Sequence, residues 1–172
     1  IVETQKADLA HHPGRLLEGI HLLTATAFFD LVSPQWMDGL CDDLRAYQLP
    51  LYAILTYDGR EIWSPPHQAD AAILSAFHAH QKSNKGFGVA AGPDAASHLA
   101  QALTQRGFHV EQGSSPWLLQ QGELLKQLAQ GAARAVRETG RVPIDEISAW
   151  QIARESAATC EIGHMDLFAV PA

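Results

Sequence analysis

What this chain lacks narrows it first. Two of its 172 residues are cysteine, Cys41 and Cys160, far apart and outside any C-x-x-C pair, so neither a disulfide framework nor a thiolate zinc site is indicated. They read as reduced, partly buried thiols. Basic residues are also scarce: 12 Lys and Arg stand against 19 Asp and Glu, a formal net charge of −7. No basic block is present to displace counterions from a phosphate backbone, which argues against nucleic acid as a partner and against an anionic membrane surface. No apolar run approaches the roughly 20 residues of a membrane span, and no secretory leader opens the chain. The expected setting is the cytoplasm. The nine histidines form no H-E-x-x-H or related pattern; His11 and His12 are adjacent and diverge, and His78 and His80 sit two apart on a predicted helix, so no metal site is expected. His164 reads as a hydrogen-bonded histidine within a strand. A G-x-S-x-G nucleophile elbow is absent, and Ser114-Ser115-Pro116 reads as a turn.

What is present is enough apolar residue, 47%, to bury the core of one domain spanning 1–172. The chain opens at Ile1 within a β-branched run, which implies further chain upstream and a short strand over residues 1–6. Leu22 and Leu23 start an apolar strand that passes through Thr24, Ala25 and Thr26 to two aromatics, Phe28 and Phe29, and a carboxylate, Asp30. Ser33-Pro34 is a helix start: the hydroxyl accepts from an orphan N–H, and proline at the first position loses no bond. Trp36, Met37, Leu40, Leu44 and Tyr47 recur at helical spacing as one apolar face. Residues 51–56 form a continuous apolar run, as in a strand covered on both faces. Asp58-Gly59 then signals a hairpin, with Glu61, Ile62 and Trp63 returning.

A helix is predicted over 68–81, with Ala72, Leu74, Phe77 and His78 inward. A long loop spans 82–92 and includes Gly86, Phe87 and Gly88; loops of this length are often functional. Further helices are predicted over 93–106, closed by Gly107, over 122–139 on Leu124, Leu125, Leu128, Ala132 and Val136, and over 144–156 on Ile147 and Trp150. Strands are predicted over 108–111 and 160–170. Alternating strands and helices mean an α/β sheet with parallel strands at its centre, and in such sheets ligands bind where strands end at their carboxyl side. Thr24 to Asp30 occupy that junction.

The stretch from Thr24 to Ser33, together with Thr56 to Gly59, Ala79 to Ala95 and Gly163 to Leu167, resembles class I S-adenosylmethionine (SAM)-dependent methyltransferases, and in particular bacterial members carrying T-A-S-A, T-Y-D-G, K-G-F-G and G-H-x-D-L motifs. The resemblance implies a three-layer, Rossmann-like sheet in spatial order 3-2-1-4-5-7-6 with only the C-terminal strand 7 antiparallel. The chain covers its latter two-thirds, from strand 3 onward, so strands 1 and 2 are expected to be missing. It further implies SAM as cofactor, with Asp8 accepting from the adenine amino group, Leu9 beside the ring, and Thr24, Ala25 and Thr26 along the cofactor. Phe28, Phe29, Tyr57 and Trp63 are implied to wall the substrate side, with Trp36 as a further aromatic. Asp30 is placed to act as base; its other reading is to cap or salt-bridge the helix that follows.

The implied function is methyl transfer to a small-molecule acceptor. No G-x-G-x-G loop occurs in the 172 residues. The alternative is therefore an inert methyltransferase-like fragment that does not bind SAM. Loss of strands 1 and 2 also exposes a sheet edge, so the expectation is either homodimerisation through that edge or a relocated first strand.

Overall fold

Strand pairing across long stretches of sequence sets the architecture. The structure, a computed structural model, describes residues 3–10 and 14–172. β1 (Leu23–Thr26) passes through a 3-10 turn at Phe29–Leu31 into α1 (Pro34–Tyr47) and β2 (Leu51–Ser64). There follow α2 (Asp70–Gln81), α3 (Ala95–Gln105), β3 (Phe108–Ser114), β4 (Trp117–Gln120), α4 (Glu123–Thr139), α5 (Ile144–Glu155) and β5 (Thr159–Pro171). The sheet runs β1-β2-β5-β3, with β4 on β5 below β3. β1 is parallel to β2, and β5 is antiparallel to β2, β3 and β4. The chain is thus an α/β protein with a mixed sheet. No helix among the described residues is long and apolar enough to cross a membrane.

The alternation of β5 shows how the layers are arranged. Its ladders are regular, and both register shifts fall in β2, between Ala53 and Thr56 and between Tyr57 and Glu61. Side chains alternate faces along a strand. Leu167 and Ala169 therefore point to one face, where they join Leu51, Ala53 and Phe108 in a core with α1 and α3. Cys160 and Ile162 point to the other, in a core with Trp63, α2, α4 and α5. Two cores occupy opposite faces at opposite ends of one sheet.

Local chemistry accounts for most helix ends. Ser33 Oγ accepts from the Trp36 backbone N–H at 3.1 Å, with Pro34 in the first turn, as its sequence predicts. Gly107 and Gly140 follow α3 and α4 with φ of +82° and +62°, the left-handed conformation that ends a helix cheaply only at glycine. Trp36, Met37, Leu40 and Leu44 are buried as expected; Tyr47 is exposed, because the left-handed Gln48 ends the helix and Leu49 takes the buried place.

Several expectations are corrected. Asp58-Gly59 makes no hairpin turn: β2 continues through it to Ser64 against β5, and Gly59, at φ +90°, lies within the second register shift. Nine paired positions along the β2–β5 ladder outweigh one local turn preference. In α2 the buried residues are Ile73 and Ala76, and Ala72 is exposed; Leu124 of α4 is likewise exposed, its inner face falling on Leu125, Ala129, Ala132, Ala133 and Val136. β4 is a strand the sequence reading does not contain. Residues 3–8 form no strand; Ile1 and Val2 of that expected strand lie outside the described residues.

The motifs Thr56 to Gly59 and Gly163 to Leu167 face each other across the β2–β5 ladder, where Thr56 and Tyr57 stand between the two register shifts. Asp166 Oδ1 accepts from the Leu55 N–H at 2.8 Å and from Ser115 Oγ at 2.6 Å, which fixes Leu55 at φ +55°. Asp58 packs its carboxylate over Gly163, where a Cβ would collide with it, and accepts from Arg60 Nε at 2.9 Å.

Candidate functional site

At the carboxyl end of β1 the chain leaves the sheet abruptly. Ala27 donates its N–H to Ile54 O at 3.0 Å and adopts φ +51°, a conformation costly for a residue with a Cβ. Leu55, one strand away, is the second such residue at this edge. Strain of this kind concentrates where a fold positions side chains for use.

Beside the Ala27 turn lies a cavity of about 280 Å³. Thr24, Ala25 and Thr26 form its sheet side, Leu23 and Leu40 its floor, and Phe28, Phe29 and Trp36 an aromatic wall, with Leu9 at the lip. The lip is tied down from α1, since Trp36 Nε1 donates to Leu9 O at 2.8 Å. Next to it, Asp8 is exposed and accepts from the Ala10 N–H through Oδ1 at 2.9 Å, in an Asx-type turn. Of the residues expected to hold the cofactor, Leu9, Thr24, Ala25 and Thr26 thus line one pocket, with Asp8 adjoining it. Phe28 and Phe29 line it too.

Asp30 lies half-buried in the 3-10 turn beyond Phe29. It does not cap α1, a role Ser33 fills, and it makes no salt bridge among the described residues. Burial raises its carboxyl pKa above 3.8, opposed by its own backbone N–H and by the nearby His164.

The other two expected substrate residues lie elsewhere. Trp63 is buried in the α2/α4/α5 core, its ring 5.7 Å from that of Trp150, so the structure does not bring it to the pocket. Tyr57 is buried, with its hydroxyl 3.1 Å from His78 Nε2 and 3.2 Å from Glu61 Oε1. Burial and the Glu61 carboxylate hold the phenol protonated far above its ordinary range. Burial also raises Glu61 and lowers His78. His164 completes this polar group: its Nδ1 lies 3.1 Å from Ile162 O, and its ring packs on Trp117 and Tyr57.

Sequence reasoning missed the Glu61–Tyr57–His78 set. The pairing of Tyr57 with Glu61 depends on the bulge between them, and His78 arrives from a separate helix. No group of three or more His, Cys, Asp or Glu that could hold a metal ion is found among the described residues. No protein-family model matches this chain, and no curated protein matches it either.

Proposed function

We propose that this chain is the latter part of a class I SAM-dependent methyltransferase domain acting on a small-molecule acceptor, with the β1 pocket taking the adenosine end of the cofactor. One observation carries the reading. The order β1-β2-β5-β3, with β5 inserted antiparallel between two strands that are parallel to each other, matches the 4-5-7-6 segment that the motifs imply. The pocket at the carboxyl end of the first of these strands supports it.

The residues present fit the adenosine end: an apolar slot between Leu9 and the Thr24–Thr26 backbone, with the Asp8 carboxylate alongside for an exocyclic amine. SAM supplies a methyl group on a sulfonium, a good leaving group. Phe28, Phe29 and Trp36 exclude water from the approach, and the fixed turn at Ala27 orients the acceptor side. Asp30, next in the chain to the lining residue Phe29 though not itself part of the lining, is the group assigned to take a proton from a hydroxyl or ammonium acceptor, and burial raises its carboxyl pKa.

A second reading is favoured by one feature: among the described residues β1 pairs with β2 alone, leaving its other edge open. On that reading the domain is an inert module that self-associates through the β1 edge without binding SAM. Calorimetric titration with S-adenosylhomocysteine, with light scattering on the same sample, separates the two. Micromolar binding supports the methyltransferase reading for this chain, and a dimer that takes up no ligand supports the second.

A further inference from the structure

The loop expected over 82–92 is a small hairpin. Asn84 and Val89 bridge antiparallel, and the Ala90 N–H donates to Ser83 O at 3.4 Å. The Gly86 N–H donates to Asn84 Oδ1 at 2.8 Å, and the Ala91 N–H reaches Val32 O at 2.8 Å, anchoring the hairpin's base to the chain just ahead of α1. At its tip Gly86 and Gly88 take φ of +101° and +85° on either side of Phe87. These angles turn one ring inward. Phe87 sits 5.6 Å from Phe28 and 5.8 Å from Trp36, and those two rings are 5.4 Å apart, all three pairs edge to face.

Phe28 and Trp36 line the β1 pocket, and Phe87 does not. Phe28 follows the left-handed Ala27, so its place depends on what packs against it. We propose that Phe87 is a positioning residue of the pocket: the 83–90 hairpin acts as a clamp whose tip ring sets the aromatic wall by holding Phe28 against Trp36. Gly88 is part of the device, since a Cβ there would stand 3.1 Å from the Cβ and Oγ of Ser33, close enough to lift the tip. The clamp rests on the reading of the pocket as a ligand site only for its binding measurement.

The deciding experiment is the indole N–H spectrum of the ligand-free protein, labelled at its four tryptophans. In Phe87→Ala the Trp36 resonance is expected to move while those of Trp63 and Trp150 stay in place; Phe87→Tyr restores it. Gly88→Ala, which keeps every ring, is expected to move it too. Released from Phe87, the aromatic wall holds its binding position for a smaller fraction of the time, so S-adenosylhomocysteine binding in Phe87→Ala is expected to be about tenfold weaker, and Phe87→Tyr retains affinity. An unmoved Trp36 resonance in both Phe87→Ala and Gly88→Ala overturns the proposal. So does unchanged ligand affinity in a variant whose Trp36 has shifted. If the unaltered protein binds no S-adenosylhomocysteine, the cofactor reading of this chain fails, and the Trp36 spectra alone decide the role of Phe87.

Discussion

The two cores that share this sheet are built differently. The α1/α3 core is formed by apolar side chains and borders the strained Ala27 turn and the pocket. The α2/α4/α5 core encloses an ion pair: Arg154, 1% exposed, donates from Nη2 to Asp70 Oδ2 at 3.0 Å and from Nη1 to Pro65 O at 2.6 Å. Trp150 Nε1 donates to Asp70 Oδ1 at 2.8 Å, and the guanidinium lies 5.6 Å from the Trp63 ring centroid. Directional bonds fix one end of the sheet in a single arrangement. The other end relies on shape, and keeps an open space beside β1.

Breaking the ionic end should have the largest effect. Arg154→Ala leaves Asp70 with the N–H groups of Trp150 and His67 but without its countercharge, removes the donor to Pro65 O, and should destabilise the protein by about 4 kcal/mol in denaturant titration. Leu99→Ala, at the centre of the apolar end, should cost about 3 kcal/mol, and hydrogen exchange should show protection lost first in α1 and α3. Ala27→Gly should act in the opposite direction, raising stability by about 0.5–1 kcal/mol because glycine adopts φ +51° without strain. Equal or lower stability in that variant would show the turn to be relaxed.

A pH series sharpens the comparison further. Glu61 has its folded-state pKa raised above 4.5 by burial. Between that ordinary value and the raised one the folded state binds more protons than the unfolded state, so stability rises as pH falls through the window and is lost as pH rises. Glu61→Gln should flatten that slope. The smallest effect is expected at Lys82, whose exposed ion pair with Asp94 at 2.7 Å should contribute less than about 0.5 kcal/mol, measurable as a near-unchanged Tm in Lys82→Ala.

What the sequence revealed and what it hid divide along physical lines. The start of α1 and the ends of α3 and α4 are legible because Ser33-Pro34, Gly107 and Gly140 act within one turn of themselves. The pocket was legible through Thr24 to Phe29, because one strand and its exit loop supply most of its wall. The Asp58-Gly59 signal misled for the opposite reason: its outcome was decided by β5, far along the chain. The resemblance and the residue type both point Trp63 at the substrate side, and only the β2 register shifts reveal that it faces the other core. Phe87 carried no local mark of its target, since Phe28 and Trp36 meet it only in the folded chain.

The position of β5 also has a consequence in time. Every other strand except β1 pairs with it, yet Ala53 of β2 and its partner Leu167 are separated by most of the sequence. At ordinary rates of synthesis, β2 emerges on the order of ten seconds before the strand that completes it. During that interval Leu51 and Ala53 have β1, α1 and α3 to pack on but no β5 beside them, and the second core cannot close. The nascent chain is therefore held at half a fold, with an apolar strand edge open, until β5 arrives.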